Sequence, residues 1–307
     1  MLPPYAAFEH TSQICGRAYL NVTNYSMGLD SDCIQFLSTA AKRGSPLGAT
    51  LTVGRQELSD GVRIARSYNL RAPAGDPGRF AEWALRGIGA TSVSSVDASA
   101  YEGADLVHDL NAPLPAAHHE QYDSVIDGGT LEHVFDVRQS LTTLMQLVRV
   151  GGSVFLITPA NNQMGHGFYQ FSPELFFRAF ASQSGFEVRR MVLQPYTFLR
   201  RAYEVADPAA IGERVALINR APVRLFVHAV RTRKSPIFAD APQQSDYSAS
   251  WERGTRRSGP VNSLTRRVYH SVVTSLPPRM RDAVYGAYFA QTKYTLRNRR
   301  FFTPTTL

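Results

Sequence analysis

Apolar and polar positions along this chain follow two rhythms. Short runs rich in β-branched residues, such as "TLTV" at 50–53 and "SVFLITP" at 153–159, read as buried strands. Between them lie stretches whose apolar residues recur at helical spacing. In "GRFAEWALRGIG" (78–89) these are Phe80, Trp83, Ala84 and Ile88, with Gly87 and Gly89 as the stop. In "VRQSLTTLMQLVRVGG" (137–152), Leu141, Leu144, Met145 and Val148 share one face ahead of a Gly-Gly stop. The spacing also predicts an early helix in "DSDCIQFLSTAAKR", capped by Asp30 or Ser31, and another over 173–186. Ser172 and Pro173 open the latter as an N-cap followed by proline at the first helical position. Further strands are expected at 91–99, 104–111, 122–129, in "FEVRRMVL" and at 223–231, with a helix-like insert in "DPAAIGERVALIN".

This alternation, ending in two closely spaced strands, implies an open and mostly parallel α/β sheet with helices on both faces. Ligands of such sheets sit at the carboxyl ends of the strands. Those ends here carry Gly54, Asp97, Asp109-Leu110-Asn111, Asp127-Gly128-Gly129 and Thr158-Pro159. At 307 residues the chain can hold one large domain with appendages, and 44% hydrophobic content is enough for a real core. Residues 1–13 lack a basic-then-apolar signal pattern, and no apolar run approaches membrane-spanning length. Cys15 and Cys33, the only cysteines, form neither a metal cluster nor a disulfide framework, so a reducing, cytoplasmic setting and no metal site are expected.

Charge divides the chain. Residues 233–307 hold 13 Lys and Arg against 4 Asp and Glu, a balance of +9, while the rest is near neutral at −1. Basicity confined to a tail argues against nucleic-acid binding over the whole surface. In "NSLTRRVYHSVVTSL", Leu264, Val268, Val272 and Leu276 fall on one helical face. Such a helix either docks its stripe on the body or a second subunit, or lies on an anionic membrane as a peripheral contact. The modest stripe favours docking.

Several residues could carry chemistry. Asp97 ends a strand where a carboxylate can accept both hydroxyl hydrogens of a ribose; it serves equally well as a turn or N-cap residue. Asp109 and Asn111 can bond an adenine amine with Leu110 packed on the ring, although taken alone an Asx-turn is the simpler reading. In "DGGTLEHVFD", two glycines let backbone pass close to a ligand, and Glu132 and His133 follow at the crevice mouth. His133 there is either a general base or a residue that holds the loop in shape. The loop "TPANNQMGHGFYQFSPE" offers His166, Tyr169 and Gln170 as substrate-facing groups.

The ordered set "TLTVGRQ", "VSSVDAS", "ADLVHDLN", "YDSVIDGGTLEHVFD", "VRVGGSVFLITPANN" and "SQSGFEV" resembles class I S-adenosylmethionine-dependent methyltransferases across about residues 45–232. The resemblance implies a Rossmann-like, seven-stranded sheet with helices on both faces and an antiparallel last strand. It leaves residues 1–44 as a lead-in with a helix and 233–307 as a basic, mostly helical C-terminal extension. By position it implies Asp97 on the cofactor ribose, Asp109 and Leu110 flanking adenine, and Asp127 and Gly128 at the methionine end. Gly54 matches the first glycine of the family's first loop. Thr52 stands where that family has an acidic residue, however, and Arg55, Gln56 and Glu57 replace its small residues. The implied activity is methyl transfer from S-adenosylmethionine to a small molecule, sugar-containing metabolite or glycan, with His133 and His166 as catalytic candidates and Glu132, Tyr169 and Gln170 on the substrate. The rival expectation is a methyltransferase-like binding or scaffold module without catalysis. A nicotinamide dehydrogenase is disfavoured because G-x-G-x-x-G does not open the fold.

Overall fold

The computed structural model describes residues 28–75, 78–247 and 294–307, with positions 271, 275–278, 280, 281 and 284 between them. Nine strands form one sheet: β1 (Gly48–Val53), β2 (Ala90–Asp97), β3 (Leu106–Val107), β4 (Tyr122–Asp127), β5 (Val148–Asn161), β6 (Phe186–Pro195), β7 (Ala202–Val205), β8 (Val223–Arg231) and β9 (Phe302–Thr305). Their order is β3-β2-β1-β4-β5-β8-β6-β7-β9. The first five are mutually parallel, and β8 runs antiparallel between β5 and β6. The inserted late strand agrees with the expectation from sequence.

The strands are buried on both faces because consecutive residues feed opposite cores. Val125, Val154 and Leu156 pack on one side with Leu141, Leu144 and Met145 of α4 (Val137–Leu147) and with Phe176 of α5 (Pro173–Ala179). Their neighbours Ile126, Phe155 and Ile157 face the other way, against Ile34 and Phe36 of α1 (Ser31–Lys42), Ile64 of α2 (Gly61–Tyr68) and Leu85 of α3 (Glu82–Gly87). Asp30 caps α1 by accepting from the Asp32 and Cys33 amides at 3.0 and 2.9 Å. Ser172 caps α5 ahead of Pro173 as its spacing predicts.

Other boundaries move for identifiable reasons. The sheet has nine strands rather than seven, because β7 and β9 extend it beyond β6. Gly151-Gly152 does not stop a helix; α4 ends at Leu147, and the glycines lie inside β5, near a shift in its register with β4. The helix expected over 173–186 ends at Ala179, followed by a 3-10 turn (Ser182–Ser184) and Gly185 in the left-handed region at φ +79°. The strand expected at 104–111 contracts to two residues because Asp109 closes a turn on the Asn111 amide at 2.9 Å. "DPAAIGERVALIN" supplies only a single helical turn, α6 (Pro208–Ile211).

Phe301 and Phe302 join the larger core, and Leu307 packs beside α1, where its carbonyl accepts from Thr39 Oγ1 at 2.9 Å. The amphipathic stretch 262–276 falls almost wholly outside the described residues. Among the described residues, no helix is long and apolar enough to cross a membrane.

Candidate functional site

A cleft of about 520 Å³ opens at the carboxyl ends of β1, β2 and β4, where the chain order of the sheet reverses. Gly54, immediately after β1, adopts φ +72° and donates its amide to the Val96 carbonyl at 2.7 Å. A side chain there would be strained, and its Cβ would stand 3.3 Å from Thr130 Oγ1. Gly128 forms part of the floor: a Cβ on it would lie 2.4 Å from Gln56 Oε1 and 2.7 Å from Leu29. Gly128 is thus packed closely under Gln56 and Leu29 with no room for a side chain, while Gly54 is required by its left-handed backbone.

Asp97 borders this cleft at the end of β2. Its Oδ1 accepts from the Ser99 amide at 3.1 Å, the turn role expected of it, while Oδ2 is engaged by no described residue. The turn role of Asp97 is thus carried by Oδ1, which leaves Oδ2 without a partner among the described residues. The polar residues of the first loop are likewise anchored. Arg55 donates to Glu82 Oε1 and the Glu102 carbonyl, both at 2.8 Å, and lies over the Phe80 ring at 3.9 Å. Glu57 pairs with Arg79. Gln56 is buried, its Nε2 donating to the Val53 carbonyl, whereas its Oε1 has no hydrogen-bond partner.

A second, narrow recess of about 50 Å³ shares Gly28, Gly128 and Gly129 with the main cleft and runs toward β5. The 3-10 turn after β4 (Leu131–His133) presents Glu132 here, only 1% exposed. The Glu132 carbonyl accepts the Phe168 amide at 2.8 Å, stitching the long loop after β5 to this turn. That stitch carries His166 to within 3.5 Å of Glu132 Oε1, with His133 at 4.0 Å from the same oxygen. The two imidazole centroids lie 5.4 Å apart. Hydrogen bonding to Glu132 holds His166 protonated to a higher pH than an ordinary histidine. Glu132 Oε2, His133 Nε2 and Thr158 Oγ1 are all buried without a hydrogen-bond partner among the described residues.

Arg224 forms the far wall of the recess. Because β8 is antiparallel, its first residues lie beside the last residues of β5. The Arg224 guanidinium bonds Asp30 and Gln194, both at 2.9 Å, and lies 3.5 Å from Asp32. Thr158 and Gln56 are visible in the sequence only as a strand end and a departure in the first loop, and Arg224 and Gln163 carry no signal there beyond lying in or after a strand.

Five anticipated site residues point elsewhere. Asp127 is fully buried; its oxygens accept the Gly129, Thr130 and Leu131 amides at 3.1, 2.7 and 3.0 Å, so it shapes the loop rather than lining the cleft. Burial, reinforced by the Glu132 charge and opposed by these bonds, pushes its carboxyl up to about 7. Asp109 is exposed in its turn with Asn111, and Leu110 is buried in the core. Tyr169 donates to the Phe135 carbonyl at 2.7 Å. Gln170 accepts the Gln163 amide at 2.8 Å and borders a separate cavity of about 270 Å³. Gly54, Asp97, Gly128, Glu132, His133 and His166 are the anticipated residues that do converge.

No family model matches this chain, and no curated protein matches it. Among solved structures it is similar to the trans-methyltransferase CalH complexed with S-adenosylhomocysteine, at 15% identity over 65% of this chain and 55% of that one, TM-score 0.36. It is also similar to the branched-chain polyamine synthase of Thermus thermophilus in complex with N4-aminopropylspermidine and 5'-methylthioadenosine, at 14% identity over 68% and 59% of the two chains, TM-score 0.37. A third is the 1,6-didemethyltoxoflavin-N1-methyltransferase of Burkholderia thailandensis with bound S-adenosylhomocysteine, at 15% identity over 65% and 78%, TM-score 0.34. The match thus spans just over half of CalH. The sheet itself is a Rossmann-like α/β sheet with a parallel half and an antiparallel late strand.

Proposed function

We propose that the protein is an S-adenosylmethionine-dependent methyltransferase acting on a small molecule or a sugar-containing metabolite or glycan. The observation that carries this reading is the placement of the unengaged Asp97 oxygen beside the left-handed Gly54 and the glycine floor of one cleft. A carboxylate at that point suits a ribose diol, and the cleft of about 520 Å³ beside it suits a ligand of nucleoside size. The buried, partnerless Gln56 Oε1 is an acceptor well placed for the ammonium of an amino-acid tail. When bound, S-adenosylmethionine supplies a methyl group already activated on a sulfonium. The protein's own task is then to hold an acceptor in line and exclude water. The recess bordered by Glu132 and His166, with His133 on the adjoining wall of the main cleft, is the natural acceptor side, and proton removal from a hydroxyl acceptor falls to that cluster.

Calorimetric titration with S-adenosylmethionine and S-adenosylhomocysteine tests the reading. Both ligands are expected to bind, and Asp97→Ala to weaken them by about 10- to 100-fold, the usual effect of losing hydrogen bonds to a charged group. Absence of binding at millimolar ligand would favour the second reading, a binding or scaffold module without catalysis. One observation favours that alternative: the Gln56 side chain folds close over Gly128, in a loop whose Arg55, Gln56 and Glu57 depart from the small residues that the resemblance implies there. Peripheral membrane contact or homodimerisation through the basic 233–307 segment is likewise a proposal, checked by vesicle co-sedimentation and solution mass.

A further inference from the structure

We infer that Glu132, His133 and His166 form a divalent-cation site in the recess, suited to a transition-type ion such as Zn²⁺. One ligand atom from each lies within 4.8 Å of the others. Three ligands at ordinary zinc bond lengths stand about 3.4 Å apart, so small side-chain rotations close the set. Two imidazoles with one carboxylate, leaving an open position, is the donor pattern of reactive rather than purely structural sites. The independent sign of a missing ligand is the orphaned polar atoms. Glu132 is enclosed, yet among the described residues its Oε2 has no hydrogen-bond partner, and His133 Nε2 has none either, its nearest acceptor being Glu132 Oε1 at 4.0 Å. A buried carboxylate left so poorly satisfied is costly, and a cation satisfies it together with the imidazole.

The chain supplies what such a site needs around its ligands. The Glu132 backbone is fixed by the Phe168 amide at 2.8 Å, so turn and loop hold their ligands jointly. The recess of about 50 Å³ has room for an ion with a coordinated oxygen, and it opens into the main cleft through Gly128 and Gly129. An acceptor hydroxyl taken as a further ligand would release its proton to solvent nearer neutral pH, as metal-bound water does. That role rests on the methyl-transfer reading; the existence of the site does not.

The test is titration of the chelator-treated full-length protein with ZnCl₂ by calorimetry, without any methyl donor, and elemental analysis after dialysis. One equivalent is expected to bind with micromolar or tighter affinity. Glu132→Gln and His166→Ala should each weaken it at least tenfold, while His118→Ala, at the opposite end of β4, should leave it unchanged. Circular dichroism establishes that each variant is folded, and His133→Ala stands in for any that is not. Binding of less than half an equivalent, or equal affinity in the Glu132, His133 and His166 variants, would overturn the site. Because no methyl donor is present, that failure is distinct from failure to bind S-adenosylmethionine.

Discussion

His228 lies in β8 almost fully enclosed, its ring stacked on Phe155 at 4.5 Å between centroids and Nε2 3.1 Å from Ser153 Oγ. Burial, helped by the charges of Arg189 and Arg190, lowers its pKa from 6.5 to about 4. Between those two values the unfolded chain takes up a proton that the folded protein refuses, so stability rises with pH there. The contribution, about 3 kcal/mol, is fully present above the unfolded value and lost as pH falls through the window. The raised carboxyl of Asp127 acts in the opposite sense over the same range, so the readout is comparative: from pH 7 to pH 4.5 the urea midpoint of the parent should fall relative to that of His228→Gln, and parallel changes in both proteins would assign the pH dependence to other groups. Position at a strand end anticipates Asp97 and Gly54 at the crevice, and the composition of the loop after β5 anticipates His166 there. Strand position misplaces Asp127, Asp109 and Leu110, because side-chain direction after a strand is decided by which amides the following turn presents. Glu132 was visible as a candidate, but its burial against two histidines depends on a loop that arrives from β5.

At the scale of elements, the hydrophobic rhythm revealed strands that are buried on both faces and missed those at the margin. β7 is four residues long with only its ends buried, and β9 reads "FTPT". Proline in a strand argues against assigning one, yet an outermost strand tolerates it because its outward side needs no donor. The weight of β9 rests on Phe302, fully buried beside Phe301. Phe302→Ala should destabilise the protein by about 3–5 kcal/mol, whereas Thr303→Ala, exposed on the same strand, should change stability by less than about 0.5 kcal/mol. Denaturant midpoints of the two variants check the contrast. Equal effects would mean that the strand contributes through its backbone pairing alone.

For the whole molecule, the charge division seen in the sequence does not coincide with the division of the core. Residues 301–307 belong to the basic segment in sequence, yet they complete the sheet and reach α1. The sheet should consequently melt as one cooperative unit, with calorimetric and van't Hoff enthalpies in agreement; two separate transitions would show that the region beyond β8 is independent. The inserted strand has a further consequence, this one for the order of events. β6 and β7 are made before β8, but β6 has no neighbour toward the parallel half until β8 lies between it and β5. The hairpin of β6 and β7 must wait with one edge open, its partner separated from β5 by the intervening chain. Closing that gap joins residues far apart in sequence, which slows the search for the native pairing. The same insertion brings Arg224 to the carboxyl ends of the parallel strands, so the wall of the recess is finished only when the sheet is. A chain caught before that step would hold most of its secondary structure and a recess still open where Arg224 should close it.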